Sequence, residues 1–457
     1  MNRSLNSTTV RPIFSSRKIV HMSMLVFAFL LPFLTWMQAA GCALMTLGFN
    51  VFILPQLDVD LGKRNLEERV ANVWTGIVIY PISVLALILL YRHDLYIVGA
   101  VWAIMALGDG WAGVAGEAMR GPALPWNPGK TWVGFASFIL AGTLGAYALA
   151  RWVAPEIDAG KTLAVSAETA LVGAVVESLP IRLDDNVSVP LLCGVFMYCA
   201  YLIEWPAFGS NLPYLRFRIV LAVAVNLVFA LLALAMKWAN RSGAAMGFVL
   251  GVAIYLGYGY KSFFILLAFV LMGSIATRIG YARKSARGVA ERRGGARSWR
   301  EALANLLAPA FFAVLAITTF NQAAFLVALV AALAEAAGDT VSSEIGQWLS
   351  GRVYMITTFE RVPSGENGGV SFAGTAAGFA ASAIIVGLAL ALGLCGARPI
   401  TGAAIALAAA AAGNLFDSLL GATVERRGLV TNSVVNFFGT SFAGALALIL
   451  AMRLRLL

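Results

Sequence analysis

Leu95-Tyr96-Ile97-Val98-Gly99-Ala100-Val101-Trp102-Ala103-Ile104-Met105-Ala106-Leu107-Gly108-Asp109 is an apolar run that closes on a carboxylate. A charge at the centre of a membrane helix costs about 3 kcal/mol, so an acid kept at membrane depth serves a cation, a partner or a proton path. The arrangement occurs twice. A second run ends Ala336-Ala337-Gly338-Asp339-Thr340, with Asp339 lying 230 residues after Asp109. Each aspartate is expected in a glycine turn at the end of a span, and the pair points to two related active sites.

Outward from these stretches the composition has one character. Of 457 residues 60% are hydrophobic and 12% charged, against about a quarter charged in soluble domains. Mean hydropathy is +0.82. Apolar runs suited to a bilayer of about 30 Å recur near 20–36, 39–54, 72–91, 95–108, 131–153, 162–178, 188–205, 215–236, 244–257, 262–277, 303–320, 323–338, 374–394, 400–413 and 432–451. The expected fold is all-α, a polytopic transmembrane helical bundle of about 15 spans. Cys42, Cys193, Cys199 and Cys395 lie in apolar stretches without pairing or metal spacing and read as packed thiols. Ala39-Ala40-Gly41-Cys42 only faintly resembles a lipoprotein signal, so the first run is read as a retained span.

Basic residues set the orientation. Residues 278–300 carry Arg278, Arg283, Lys284, Arg287, Arg292, Arg293, Arg297 and Arg300 against Glu291, which is +7 of the formal +10. The positive-inside rule puts this stretch, with Arg11, Arg17 and Lys18, in the cytosol. The protein is expected to be multi-pass in a bacterial inner or plasma-type membrane, with its N-terminus and active sites cytosolic. Its basic charge suits anionic headgroups or a nucleotide, and nucleic acid is not needed to explain it.

The Gly/Arg-rich linker at 278–300 is the natural boundary between the acidic motifs of two halves, and the domains are expected at 1–240 and 241–457. Before it, Gly108-Asp109-Gly110 is followed by Glu177-Ser178-Leu179-Pro180 and Asp184-Asp185-Asn186-Val187. After it, Gly338-Asp339-Thr340 is followed by Asp417-Ser418-Leu419-Leu420 and Thr431-Asn432. An even number of spans between the two Gly-Asp stretches makes the halves parallel repeats.

The motifs favour phosphate chemistry. Asp109, Gly113, Gly116 and Glu117 share one helical face, as do Asp339, Ser342, Ser343 and Gly346, with Glu344 beside them. Small residues at this spacing also serve helix packing, but packing does not need the aspartates. Trp126-Asn127-Pro128-Gly129-Lys130-Thr131 is not a Walker A loop, since Leu124 holds its first glycine position and no strand is expected before it. Gly129, Lys130 and the amides opening the next helix could still hold phosphate. In Arg361-Val362-Pro363-Ser364-Gly365-Glu366-Asn367-Gly368-Gly369-Val370-Ser371 the glycines permit positive φ and an anion-binding nest. Glu177 and Asp185 in one half, and Asp417 in the other, would join the first aspartates around Mg2+, which takes carboxylates, water and phosphate oxygens. A helix cap is the lesser alternative for Asp184-Asp185-Asn186. Acids, glycine loops and basic residues without a His/Cys cluster argue for phosphoryl transfer. His93 reads as a loop residue and His21 as an interfacial one.

Arg17-Lys18-Ile19-Val20-His21, Gly108-Asp109-Gly110-Trp111-Ala112, Gly129-Lys130-Thr131-Trp132-Val133-Gly134, Glu177-Ser178-Leu179-Pro180 and Asp184-Asp185-Asn186-Val187-Ser188-Val189-Pro190 together resemble the phytol kinase and dolichol kinase family, over roughly 15–240. From about 244 the chain resembles the phytyl-phosphate kinase family. The carrying stretches are Lys284-Ser285-Ala286-Arg287-Gly288, Gly294-Gly295-Ala296-Arg297, Ala337-Gly338-Asp339-Thr340, Ser343-Glu344-Ile345-Gly346, Ile356-Thr357-Thr358, Asn367-Gly368-Gly369-Val370, Asp417-Ser418-Leu419-Leu420-Gly421-Ala422-Thr423, and Thr431-Asn432 with Asn436.

These resemblances imply a bifunctional Mg2+-dependent enzyme of isoprenoid salvage. It would convert a prenol such as phytol, farnesol or geranylgeraniol to its monophosphate and then its diphosphate, with CTP as phosphate donor. Asp109, Asp185, Asp339 and Asp417 are expected at the chemistry, and Asp109, Glu177, Asp339, Glu344 and Asp417 at the metal. Gly129, Lys130, Asn186, Lys284, Arg287, Arg297, Asn367, Gly368, Gly369 and Asn432 are expected at the nucleotide. One rival is a CTP-dependent cytidylyltransferase making a CDP-activated lipid. Another is an ion-coupled transporter, since parallel repeats with buried aspartates also describe carriers. Prenol length, the nucleotide and any homo-oligomer are left open.

Overall fold

The computed structural model describes residues 21–56, 74–119, 121–179, 184–290, 295–349 and 351–454. Arg11, Arg17, Lys18, Pro180, Glu291, Arg292, Arg293 and Gly294, all used in the sequence reading, lie outside them. Among the described residues eleven helices are long and apolar enough to cross a bilayer, and two shorter apolar helices, His21–Phe33 and Val78–Leu90, accompany them. The chain is an all-α polytopic membrane bundle, as expected where a backbone in lipid must satisfy its own hydrogen bonds. The runs near 188–205 and 244–257 also form helices, Asp185–Tyr201 and Arg241–Tyr258, but these are not among the eleven.

Two compact units divide between Leu202 and Ile203, earlier than the boundary expected at 240/241. The cause is local. Helix Trp205–Ala235 packs on helix Arg241–Tyr258, and the basic stretch bonds back beside it: Arg297 N donates to Trp238 O at 2.9 Å, and Asn240 N donates to Arg297 O at 3.0 Å.

The first unit comprises a 3-10 helix Met24–Phe33, α1 (Trp36–Gly48), α2 (Trp74–Leu90), α3 (Leu95–Ala103), a π turn Ile104–Gly108, and α4 (Asp109–Met119). A small antiparallel hairpin follows, β1 (Ala123–Leu124) with β2 (Asn127–Thr131), then α5 (Trp132–Val153), α6 (Ala159–Ser178) and α7 (Asp185–Tyr201). The core sits around α3, buried throughout Ile97–Ala103, and Phe138 of α5. The span Leu95–Met119 runs through Gly108-Asp109, so the expected glycine turn is not there. Asp109 is ordinary right-handed helix (φ −63°, ψ −43°). Gly108 is required by packing instead, because a Cβ there would lie 2.9 Å from Phe138 Cε1.

The second unit comprises α8 (Trp205–Ala235), α9 (Arg241–Tyr258), α10 (Tyr260–Arg278), α11 (Tyr281–Ala286), α12 (Trp299–Thr318) and α13 (Gln322–Leu349). A three-stranded antiparallel sheet follows, ordered β4-β3-β5 from β3 (Val353–Met355), β4 (Arg361–Val362) and β5 (Gly369–Ser371). Then come α14 (Phe372–Ala391), α15 (Pro399–Leu420), a π turn Gly421–Glu425 and α16 (Asn432–Arg453). Central helix α13 touches α10, α12, α14, α15 and α16 and is buried at every position from Ala324 to Gly338. It too passes unbroken through Gly338-Asp339. A Cβ on Gly338 would lie 2.4 Å from Ser382 Oγ and 3.2 Å from Gly378 O of α14, which explains a residue costing about 1 kcal/mol in a helix interior.

One local design recurs. Thr131 caps α5 by accepting from Gly134 N at 3.1 Å, and Ser371 caps α14 by accepting from Gly374 N at 3.1 Å. A Cβ on Gly116 would meet Thr131 Oγ1 at 3.1 Å, and one on Gly346 would meet Ser371 Oγ at 3.1 Å. In each unit a glycine of the acid-bearing helix thus makes room for the hydroxyl cap of the helix that follows the β segment.

Candidate functional site

In the first unit three carboxylates converge. Asp109 opens α4, Glu177 lies in the last turn of α6, and Asp185 is the first residue of α7; one oxygen from each lies within 4.8 Å of the others. Asp184 does the capping, accepting from Asn186 N at 2.9 Å and Asn186 Nδ2 at 2.8 Å. Asp185 is thereby left for the cluster, and Asn186 serves the cap rather than a nucleotide. Lys130 of β2 forms an ion pair with the buried Glu177. Burial draws the Lys130 pKa down, but the Glu177 charge and hydrogen bond outweigh it and raise it overall. Asp185 opens a helix outside the eleven spans. Burial first, opposed by Lys130 and reinforced by Asp109, Glu177 and Asp184, pushes its pKa up to about 7.

The stretch expected as a polar loop is a hairpin fastened to the end of α6. Trp126 Nε1 donates to Ser178 Oγ and Asn127 Nδ2 to Ser178 O, both at 3.1 Å. Gly129 N donates to Asn127 Oδ1 at 3.1 Å, so that amide shapes the turn instead of meeting phosphate. His21 Nε2 lies 3.0 Å from Met105 O, inside the π turn, and 3.6 Å from Asp109 Oδ2. Its ring meets Tyr80 edge-on at 5.0 Å, and Tyr80 OH accepts from Trp102 Nε1 at 2.7 Å. His21 is thus a neighbour of the cluster rather than only an interfacial residue. Three hard oxygens beside one lysine suit a magnesium ion that keeps water and phosphate ligands.

The second unit is arranged differently. Asn436 Nδ2 donates to Asp339 Oδ2 at 3.4 Å. Asp417, in the last turn of α15, is 9% exposed and its Oδ2 meets no hydrogen-bond donor. Glu335, one helical turn before Asp339, is 1% exposed and neither of its carboxylate oxygens has a partner.

Several expected ligands are engaged elsewhere. Glu344, expected at the metal, is paired in the interior with Lys284, expected at phosphate; Lys284 Nζ also donates to Thr277 O at 3.0 Å and Ala276 O at 3.3 Å. Lys284 is 1% exposed, so its charge is committed to Glu344 and two carbonyls. Arg297 stacks over the Phe269 ring at 5.6 Å. The Asn367-Gly368-Gly369 turn is a packing feature: Gly369 N donates to Glu366 O at 2.9 Å, and a Cβ on Gly368 (φ +76°) would lie 2.4 Å from Ala422 Cα. The positive φ expected there is real, and of the consecutive amides expected to face an anion Gly369 N is bonded within the turn. Asn432 opens α16 at the surface, and the asparagine that reaches Asp339 is Asn436, one turn on. Arg287 lines an open cavity of about 480 Å³ with Val289, Gly351, Arg361, Val362, Pro363 and Ser364.

Three residues absent from the expected site sit in or beside it: His21, Glu335 and Asn436. Glu335 had a sequence signal, since positions i and i+4 share a helical face. His21 lies 88 residues before Asp109, and only packing brings them together.

Comparison with known proteins adds kinship. The family described as integral membrane protein DUF92 matches residues 224–444. A membrane protein of Methanocaldococcus jannaschii is 32% identical over 240 residues, 51% of this chain and 94% of its own length. The chloroplastic protein VTE6 of Arabidopsis thaliana is 33% identical over 240 residues, 50% of this chain and 71% of its own. Chloroplastic phytol kinase 1 of Arabidopsis thaliana is 30% identical over 141 residues, 30% of this chain and 46% of that kinase. No solved structure matches.

Proposed function

The chain belongs to the DUF92 integral membrane family, and from that premise we propose that it phosphorylates prenyl lipids in two steps with CTP and Mg2+. The first unit acts on a prenol such as phytol, farnesol or geranylgeraniol, and the second on the resulting monophosphate. The carrying observation is the convergence of Asp109, Glu177 and Asp185 within 4.8 Å beside Lys130, in a chain with membrane-length helices and relatives named phytol kinase.

In this reading Asp109 and Glu177 hold the cation, and Lys130 keeps Glu177 oriented while adding positive charge near the transferring phosphoryl group. Bound Mg2+ would supply charge neutralisation on the nucleotide phosphates. Asp185, with a pKa near 7, is suited to take the proton of an attacking hydroxyl at neutral pH. In the second unit Asp339 and Asp417 are the acids offered to the cation. There the helix after the second acid opens on Asn432, where its counterpart in the first unit opens on Asp185. That difference supports an acceptor already anionic, since a phosphate oxygen has no proton to lose. The basic stretch at 278–300 supports a cytosolic position for the polar motifs, where a nucleotide is available.

The test uses purified protein in liposomes with prenol, Mg2+ and γ-labelled CTP. Wild type is expected to yield labelled diphosphate, Asp339→Asn labelled monophosphate, and Asp109→Asn no labelled lipid. Release of pyrophosphate with a CDP-lipid would mark a cytidylyltransferase instead. Absence of any label transfer would sink the kinase reading.

A further inference from the structure

Glu335 takes no part in the reading above, yet among the described residues it is the most deeply buried acid of the second unit. Its carboxylate is 1% exposed, and neither oxygen meets a donor. Asp417 Oδ2 and Asn436 Oδ1 are also buried without a hydrogen-bond partner. Two of these groups, Glu335 and Asp417, converge. A Cβ placed on Gly439 would lie 2.5 Å from Glu335 Oε1 and 3.2 Å from Asp417 Oδ2, so both acids press on one point of α16. A Cβ on Gly413 would lie 2.7 Å from Glu335 Cγ, so α15 also makes room for this side chain. Asp339 stands four residues on, on the same face of α13, and it accepts from the Nδ2 of Asn436.

We infer that Glu335 is the inner ligand of a divalent-cation site completed by Asp417, Asp339 and the Asn436 carbonyl oxygen. The inference rests on the reading above for Asp339 and Asp417, and adds the residue that gives their site its depth. Buried carboxylates without a counter-charge are among the costliest arrangements in a protein interior. A magnesium-like ion offsets that cost with ligands of this type, hard oxygens plus water. The first unit draws its third carboxylate from another place: Asp185 on α7, whereas position 105, which precedes Asp109 as Glu335 precedes Asp339, is Met105. Built on Glu335 and Asp417, both buried and neither hydrogen-bonded to a lysine, such a site would hold its ion away from solvent. That suits an acceptor bringing a phosphate charge of its own.

The experiment is Mn2+ binding to the full chain in nanodiscs, read by electron paramagnetic resonance, without nucleotide or lipid substrate. Wild type is expected to bind two ions, and Asp109→Asn to retain one at wild-type affinity while the other weakens. Glu335→Gln should weaken the ion that Asp109→Asn retains by at least about tenfold, as expected for loss of one charged ligand. Glu335→Met, which installs the residue of the first unit, should do the same while melting no lower than wild type. Wild-type affinity for both ions in the two Glu335 variants would overturn the inference. So would a wild type whose Mn2+ is lost entirely in Asp109→Asn. Two bound ions in a protein that transfers no phosphate would support this site and remove the kinase reading, so the two fail separately.

Discussion

The two acid clusters differ in who balances the charge. In the first unit Lys130 stands immediately before the capping Thr131 and neutralises Glu177. In the second, Val370 stands immediately before the capping Ser371, and the lysine with an ion-paired carboxylate, Lys284, is placed against Glu344. The first cluster therefore carries part of its counter-charge within the protein. The second leaves Glu335 and Asp417 with orphaned oxygens. Of the three π turns among the described residues, Phe49–Ile53 lies apart from the acids, while one precedes Asp109 and one follows Asp417, positions of the kind where such irregularities gather. Similar helix order thus supports two electrostatic solutions.

The sharpest way to break this contrast is at Asp185. Asp185→Asn should lower phosphorylation of added prenol by about 10²–10⁴-fold, the usual contribution of a general base, and leave phosphorylation of added prenyl phosphate unchanged. An equal fall in both reactions would remove the distinction between the units. The same residue predicts a pH signature. With its pKa near 7, Asp185 gains a proton as pH falls, so the prenol step should decline by about tenfold per unit well below that value. The prenyl phosphate step, measured in parallel, should not share that decline.

Stability sharpens the comparison next. Lys284 and Glu344 are both buried, so Lys284→Met should leave an uncompensated interior charge and cost about 3–5 kcal/mol in detergent melts. Lys284→Met/Glu344→Leu should recover most of that loss. Lys130 is 36% exposed but its partner Glu177 only 7%, so Lys130→Met should cost less than Lys284→Met, about 1–3 kcal/mol of stability, while reducing the first reaction. Comparable losses for the two lysines would mean that the pairs are not differently buried in the membrane-bound protein.

The smallest effect concerns what the units share. Thr131→Ala and Ser371→Ala each remove one helix cap and should each cost about 1 kcal/mol. Markedly unequal costs, read as melting shifts, would show that the matched caps do not do the same structural work.

Much of the first cluster was legible in the sequence because carboxylates are scarce in so apolar a chain. Asp109, Glu177 and Asp185 stand out, and the structure brings all three together. Glu344 stood out equally, but a residue five places past Asp339 on a helix is turned by about 140° from it. It meets Lys284 from 60 residues away instead. Glycine was legible as a signal of close approach and less so as a signal of purpose. Gly129 and Gly369 offered amides on paper that neighbouring oxygens already occupy, while Gly108 and Gly338 serve contacts with α5 and α14 rather than turns.

Membrane residence, the helical class and the acids worth examining were therefore determined by composition and by the apolar runs, which are local properties of the chain. Which acid meets a lysine, which meets another acid, and which amide remains free were decided only by the tertiary structure. Those outcomes depend on which helix faces pack together, and packing joins His21 to Asp109, Lys130 to Glu177 and Lys284 to Glu344 across separations that no local pattern encodes.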